Sequence, residues 1–181
     1  MTHPPPHRTI AVVLAAGLGT RMRSRLPKVL HALGGRPMLA YVLDAALEAT
    51  GHRPLVVYSP ATAQVREAFG QQVDLALQDE PRGTGDALRA ALEALPAEAD
   101  EIVVLNGDLP FVTAGLISEL LAARREAAAV MALVWTESDP RHYGRVVLDA
   151  DGHVQRIVEY KDATDEAVSY THLTLPTKRI V

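Results

Sequence analysis

A glycine-rich turn followed by cations lies near the start of the chain and suits the binding of phosphate groups. Gly17 and Gly19 allow the backbone to approach a ligand closely, and successive N–H groups in such a turn form an anion-binding concavity. Arg21 can donate a pair of hydrogen bonds to phosphate oxygens, and Lys28 supplies a compact positive charge. The spacing matches neither a Walker loop nor a dinucleotide fingerprint, because Met22 stands where the fingerprint needs glycine. Taken alone, the turn could equally well be a simple connection between a strand and a helix, with its arginine side chains exposed to solvent and no phosphate bound.

The distribution of charge along the chain also indicates an anionic partner. The 181-residue chain has a net charge of −4, yet six cationic side chains precede its first acidic residue, Asp44, which leaves −10 on the remainder. A one-sided segment of this kind suits nucleic acid or a phosphorylated small molecule. Aromatic residues make up only 4% of the chain, so there is no stacking platform for a polymer. We therefore expect a small polyphosphate as the partner and no nucleic acid.

Polar residues that follow later apolar runs are further candidates for chemistry. Asp108 ends the run EIVVLNGD and can ligate a metal ion, while Gln78 follows VDLAL with an amide that both donates and accepts. Gly83 and Thr84 open a helical pattern in which Asp86 complements the helix dipole. Taken singly, Gln78 is typical of a surface residue and Gly83 of a helix entry.

The elements that would position these residues alternate along the chain. Apolar runs predict buried strands at 9–17, 54–60, 73–78, 101–110 and 128–135. Helical spacing predicts helices at 37–50, 61–70, 83–96 and 113–127, with Gly51 and Gly70 as stops and Thr113 as an N-cap. In the third helix, Leu88, Leu92 and Leu95 are expected on one face. Two alternating runs around Asp151-Gly152 predict a β-hairpin within 144–160.

This order of elements predicts an α/β three-layer sandwich with a Rossmann-like, mostly parallel sheet. Ligands of such sheets bind outside the carboxyl ends of the strands. The loops at 15–28, 78–86 and 106–110 should therefore meet at one edge of the sheet and form the site.

The longer motifs resemble a known family. LAAGLGTRM (14–22) and LPKVLHALGGRPML (26–39) resemble the N-terminal signature of nucleotidyltransferases that make sugar nucleotides, and are most similar to bacterial N-acetylglucosamine-1-phosphate uridylyltransferases. The resemblance continues in order through LQDEPRGTGDA, LNGDLP, HYGRVV and IVEYKDATDE, to about residue 166. It implies a nucleotide-diphospho-sugar transferase type of fold. It also implies transfer of uridylyl from UTP to N-acetylglucosamine-1-phosphate with Mg²⁺, giving UDP-N-acetylglucosamine, a cell-wall precursor, and pyrophosphate.

The resemblance also implies roles for individual residues. Arg21 and Lys28 are expected to act on the triphosphate as catalytic residues, and Asp108 to ligate the magnesium ion. Gly144 and Glu159 are expected to bind the sugar. The resemblance further implies residues that contact the uridine nucleotide. They are Lys28 again and Leu14, Ala15, Ala16, Gly17, Gly19, Gln78, Gly83 and Thr84.

The chain departs from the family near its end. The family continues with one asparagine that binds the sugar and a second that ligates magnesium, whereas Asn106 is the only asparagine of this chain. We expect a flexible extension at 1–8 and a partial nucleotidyltransferase domain at 9–167, incomplete at its C-terminus. Residues 168–181 carry no family motif and resemble translated sequencing adapter, so we expect a non-native tail, with a natural strand-like tail as the alternative. Such a chain is expected to bind nucleotide weakly and to transfer little.

Composition excludes several other classes of function. The chain has no cysteine, which excludes disulfides and thiolate metal sites, and its seven histidines show no zinc-binding spacing. The proline-rich start does not resemble a signal peptide, and no apolar stretch reaches the roughly 20 residues of a membrane helix. We therefore expect a cytoplasmic protein that acts on small molecules and binds no membrane, while the oligomeric state stays open.

The sequence is compatible with three other functions. The chain could be a thymidylyl- or guanylyltransferase of the same superfamily, or a non-catalytic nucleotide-binding module. A dinucleotide oxidoreductase shares the fold class but lacks the third glycine of its fingerprint.

Overall fold

The structure is a computed structural model that describes residues 8–17, 19, 22–80, 82–124, 145–149, 151 and 154–158. Its contacts divide the chain into two compact units, Met1–Glu119 and Leu120–Val181. The first unit contains the sheet and most of the predicted site residues. Among the described helices, none is long and apolar enough to cross a membrane.

The elements follow the predicted alternation. The strands are β1 (Thr9–Leu14), β2 (Ala32–Leu33), β3 (Arg36–Pro37), β4 (Leu55–Tyr58), β5 (Asp74–Leu77), β6 (Glu101–Asn106), β7 (Arg145–Leu148) and β8 (Val154–Val158). The helices are α1 (Met38–Thr50), α2 (Gln64–Phe69), α3 (Thr84–Ala94) and α4 (Ala114–Ala123), with 3-10 turns at Lys28–Leu30 and Pro60–Thr62. The strand predicted at 128–135 lies outside the described residues.

Four of these strands form one parallel sheet in the order β5-β4-β1-β6. Leu14 is paired with Val57 on one side and with Asn106 on the other, so β1, β4 and β6 end close together. The carboxyl ends of all four strands therefore lie at a single edge. The predicted α/β class with a parallel sheet is confirmed.

Helices cover both faces of β1, which explains its continuous apolar sequence. Ile10 and Val12 belong to a buried cluster with Ala87 and Ala91 of α3. Because side chains alternate along a strand, Ala11 and Val13 face the opposite side, where α1 packs, and both are fully buried. The arrangement is the expected three-layer sandwich.

The helix boundaries agree with the capping signals. Gly51 ends α1 in a left-handed conformation, with its N–H donating to Leu47 O. The N-terminus of α4 is capped by Thr113, whose Oγ1 accepts a hydrogen bond from Leu116 N–H at 3.2 Å. The hairpin predicted around Asp151 is also present, as the antiparallel pair β7 and β8 with an irregular register at Val147.

Two details differ from the sequence prediction. Leu92 does not share the buried face of α3, because that face is centred on Ala87 and Ala91, and Leu92 lies at its margin, half exposed. The short antiparallel pair of β2 and β3 was not predicted, although the Gly34-Gly35 turn between them is a recognised hairpin signal.

Candidate functional site

The end of β1 is fixed to its neighbour before the chain opens to solvent. Ala15 N–H donates a hydrogen bond to Val57 O at 2.8 Å, and Ser59 Oγ donates to Ala16 O at 2.9 Å. Ala15, Ala16 and Ser59 are buried, whereas Gly17 is exposed and its N–H has no partner among the described residues. The sheet therefore presents the backbone at Gly17 to a ligand from a rigid base.

Gly19 packs directly against the aliphatic stem of Lys28. A Cβ added at Gly19 would lie 2.5 Å from Lys28 Cβ, and Gly19 itself has a φ of +64°. Both the contact and the left-handed backbone require glycine at this position. Met22 N–H donates a hydrogen bond to Gly19 O at 2.9 Å. The glycine turn thus sets the position of the lysine.

The ammonium group of Lys28 meets a carboxylate that lies 80 residues further along the chain. Lys28 Nζ donates to Asp108 Oδ2 at 2.6 Å, and the two side chains are 41% and 33% exposed. Val29 anchors the short 3-10 turn by its buried side chain. Among the predicted site residues, Lys28, Gly19 and Asp108 are brought together here, and we call them the charged cluster.

Gly107 allows Asp108 to lie close to Lys28 and Gly19 in the charged cluster. Its N–H donates to Leu14 O at 2.9 Å, which ties the end of β6 to β1. A Cβ at this position would lie 3.0 Å from Leu14 O, 3.2 Å from Leu39 Cδ1 and 3.3 Å from Val29 Cγ1. Gly107 was not among the predicted site residues; its only signal in the sequence is its place directly before Asp108.

The second group of predicted residues lies at the end of β5. Gln78 is buried, with 3% of its surface exposed, and its backbone N–H donates to Tyr58 O at 2.8 Å. Its Nε2 donates to Gly83 O at 3.3 Å and to Asp86 Oδ2 at 2.8 Å. Thr84 follows as the first residue of α3. We call Gln78, Gly83 and Asp86 the amide cluster.

The two clusters occupy opposite ends of the same sheet edge. Gln78 follows β5 and Asp108 follows β6, with β4 and β1 between them. At a strand spacing of about 4.8 Å, the clusters are separated by about 14 Å. An elongated ligand with an anionic end and a neutral end suits this arrangement.

Three of the predicted site residues, Arg21, Gly144 and Glu159, lie outside the described residues. The roles of all the predicted site residues stay predictions. The side chains of Ala15 and Ala16 are buried, so only their backbone faces the site edge. Sequence analysis did not identify Ser59 as a support of the loop, because it placed this serine inside the strand predicted at 54–60, whereas β4 ends at Tyr58.

Asp108 is a single carboxylate, and one carboxylate is enough for a divalent cation whose other ligands come from a bound phosphate and water. In the described part of the chain, no group of three or more His, Asp or Glu side chains is placed to hold a metal ion. Mg²⁺ typically takes one or two carboxylates and completes its shell with phosphate oxygens and water. Asp108 is the residue that would hold such a cation at the sheet edge, where the cation would neutralise charge on the phosphate oxygens of a ligand.

Comparisons with known proteins agree with the fold. The sequence matches the family described as MobA-like NTP transferase domain over residues 11–167. The bifunctional protein GlmU of Nocardia farcinica is 43% identical, with 93% of this chain and 36% of that protein covered. GlmU of Mycobacterium avium is 44% identical, with 88% and 34% covered. The chain therefore spans about a third of the length of these relatives.

Two of the solved structures that resemble the chain illustrate the fold. HddC from Yersinia pseudotuberculosis gives a TM-score of 0.62 at 28% identity and covers 82% of this chain and 68% of its own. A CMP:2-keto-3-deoxy-manno-octonic acid synthetase complexed with CTP gives a TM-score of 0.61 at 23% identity. The match covers 90% of this chain and 68% of the synthetase chain, and it concerns the fold alone.

The family match extends over more than half of the chain and includes both clusters at the sheet edge. It confirms, at the level of the family, the resemblance to nucleotidyltransferases predicted from the glycine-rich turn and the later motifs. The chain belongs to the MobA-like NTP transferase domain family.

Proposed function

We propose that this domain transfers a uridylyl group from UTP to N-acetylglucosamine-1-phosphate and releases pyrophosphate. The observation that carries the proposal is the contact of 2.6 Å between Lys28 Nζ and Asp108 Oδ2, beside Gly19 at the sheet edge. A cation and a carboxylate in contact can hold a triphosphate together with a divalent metal ion. The choice of uridine and of the sugar phosphate rests on the family resemblance of the motifs.

The reaction requires positioning and charge neutralisation more than covalent help. An oxygen of the sugar phosphate forms a bond to the α-phosphorus of UTP, and the bond from that phosphorus to the bridging oxygen breaks. Lys28 would bind the phosphates and stabilise the negative charge on the departing pyrophosphate. The exposed backbone at Gly17 would orient the triphosphate, since the sheet beneath it is held by Ser59.

Members of this family generally depend on a divalent metal ion. We propose Mg²⁺, with Asp108 as the ligand from the described residues. When bound, a divalent cation neutralises charge on the phosphate oxygens. Asp108 has a second role when no cation is bound, because the Asp108 carboxylate then holds Lys28 at the edge of the site.

The proposal is tested by calorimetric titration of the 181-residue chain with UTP, with and without MgCl₂. We expect binding that needs the metal and weakens at least about tenfold in Lys28→Ala and in Asp108→Ala, since each removes a charge-assisted contact. Arg36→Ala and Asp44→Ala are matched controls, because these two residues form an exposed ion pair at 2.7 Å outside the site. Equal UTP affinity in all four variants and the unchanged chain would contradict the proposal.

Turnover is measured separately, as pyrophosphate released in the presence of N-acetylglucosamine-1-phosphate. We expect pyrophosphate release that requires both UTP and the sugar phosphate. A panel of dTTP, GTP and CTP distinguishes the rival nucleotidyltransferases, since a preference for one of these over UTP would assign the domain to another nucleotide.

A further inference from the structure

The side-chain amide of Gln78 is held in one orientation by its neighbours. Its Nε2 donates to Asp86 Oδ2 at 2.8 Å and to Gly83 O at 3.3 Å. Both partners are oxygens that only accept, and the NH₂ group is the only donor of the amide. Reversing the amide would place its carbonyl oxygen against two other acceptors. The chemistry of the neighbours therefore fixes which end of the amide they contact.

This orientation leaves Oε1 as the polar atom of Gln78 that a ligand can use. No described residue donates a hydrogen bond to Oε1. Since a carbonyl oxygen only accepts, a ligand group at this point must be a donor. Gln78 as a whole is 3% exposed, and affinity is lost when a bound ligand covers a polar atom without completing its hydrogen bond. Oε1 of Gln78 therefore favours a ligand group that donates a hydrogen bond over one that accepts.

Asp86 is itself well held. Its Oδ2 accepts from Gln78, its Oδ1 accepts from the Arg89 guanidinium, and it lies in the first turn of α3, where the helix dipole favours an anion. The hydrogen bond from Gln78 is the largest cause that lowers the pKa of Asp86, ahead of the charge of Arg89. The carboxylate is thus ionised and purely an acceptor at neutral pH.

We propose that Asp86 is a positioning residue that fixes Gln78 as a hydrogen-bond acceptor and thereby selects a pyrimidine with an N3–H donor over one with an N3 acceptor. The proposal rests on the proposed function, because it assumes that the nucleotide base lies at the amide cluster. Uracil carries the required N–H, whereas cytosine presents a lone pair at the same ring position. Asp86 acts through Gln78 and does not contact the nucleotide.

The test compares UTP and CTP affinities of the 181-residue chain and of Asp86 variants, by calorimetry with MgCl₂. We expect UTP to bind at least about tenfold more tightly than CTP in the unchanged chain, the equivalent of one buried hydrogen bond. In Asp86→Ala the ratio should fall to within about threefold of unity, because the amide then loses its shorter contact, at 2.8 Å, and keeps only the 3.3 Å contact with Gly83 O. Asp86→Asn keeps an acceptor for Nε2 and should retain most of the preference.

Two further measurements separate positioning from simple loss of structure. Glu93→Ala removes an exposed carboxylate from the same helix and should leave the UTP to CTP ratio unchanged. The side-chain NH₂ resonances of Gln78, assigned by NMR through Gln78→Glu, should shift in Asp86→Ala and stay in place in Glu93→Ala.

The outcomes distinguish this inference from the proposed function. The positioning role of Asp86 is overturned if the tenfold UTP preference survives in Asp86→Ala. It is also overturned if Asp86→Asn loses the preference as completely as Asp86→Ala does. Equal UTP and CTP affinity in the unchanged chain, with UTP still used for transfer, overturns the inference and leaves the proposed function standing. Failure of the unchanged chain to bind UTP with MgCl₂ overturns both.

Discussion

Replacing Gly107 by alanine should damage stability and nucleotide binding together. Gly107 lies between β6 and Asp108, and its N–H donates to Leu14 O of the neighbouring strand. An added Cβ would meet Leu14 O at 3.0 Å, and this backbone atom cannot move without disturbing the sheet. It would also meet Val29 Cγ1 at 3.3 Å, directly beside Lys28. The substitution therefore pushes apart the two sides of the charged cluster.

The size of the effect follows from these contacts. Ordinary van der Waals contact begins at 3.4 Å, so the neighbours must give way by a few tenths of an ångström. Overpacking of this kind costs about 1–3 kcal/mol in the free energy of unfolding. Urea lowers that free energy by about 1–3 kcal/mol per molar, so the unfolding midpoint should fall by about 1 M. The separation of Lys28 from Asp108 should weaken metal-dependent UTP binding by at least about tenfold.

The assay is urea unfolding followed by circular dichroism, with calorimetric titration of UTP on the same variants. Gly115→Ala is the matched control, because a Cβ there meets only Thr113 Oγ1, at 3.8 Å, in the first turn of α4. That variant should be neutral or more stable by about 0.5–1 kcal/mol, since alanine favours a helix. A Gly107→Ala protein with an unchanged midpoint would refute the packing argument. A destabilised protein with unchanged UTP affinity would refute the coupling to the site.

Other substitutions should separate stability from binding. Lys28→Ala should change the free energy of unfolding by less than about 1 kcal/mol in urea titrations, because the ion pair with Asp108 is partly exposed and screened. Ser59→Ala should cost about 1–3 kcal/mol in the same assay, because buried Ala16 O loses its donor. Asp86 has a pKa lowered from its ordinary value of 3.8, chiefly by Gln78, so its contribution to stability is complete above pH 3.8 and is lost as the pH falls through the lowered value. The stability difference between the unchanged chain and Asp86→Asn should stay constant from pH 7 to pH 5 and shrink in urea titrations below pH 3.8.

The sheet was predictable because its strands are buried on both faces. A run such as TIAVVL has no polar side to expose, and the alternation with helical spacing then requires parallel strands. The rule that ligands bind at the carboxyl edge placed three loops together without any knowledge of their contacts. Local sequence pattern and general rules of sheet topology are sufficient for the sheet and for the position of its ligand-binding edge.

The contacts within the site were not predictable in the same way. Lys28 and Asp108 are 80 residues apart, and nothing in their spacing specifies that the two side chains touch. Gly107 matters because three atoms from separate segments converge on it, which is a property of packing. Asp86 was interpreted as a complement to the helix dipole, and its second role appears only once Gln78 is seen beside it.

The two clusters differ in a way that suits different parts of one ligand. The ion pair of Lys28 and Asp108 is partly exposed, so breaking it costs little, and Lys28 is free to exchange the carboxylate for a phosphate oxygen. The amide of Gln78 is buried and engaged with two acceptors, so turning it costs more. A group that binds through charge benefits from being movable, whereas a group that distinguishes a donor from an acceptor must stay fixed. The contrast in burial thus favours phosphates at the end of β6 and a base at the end of β5.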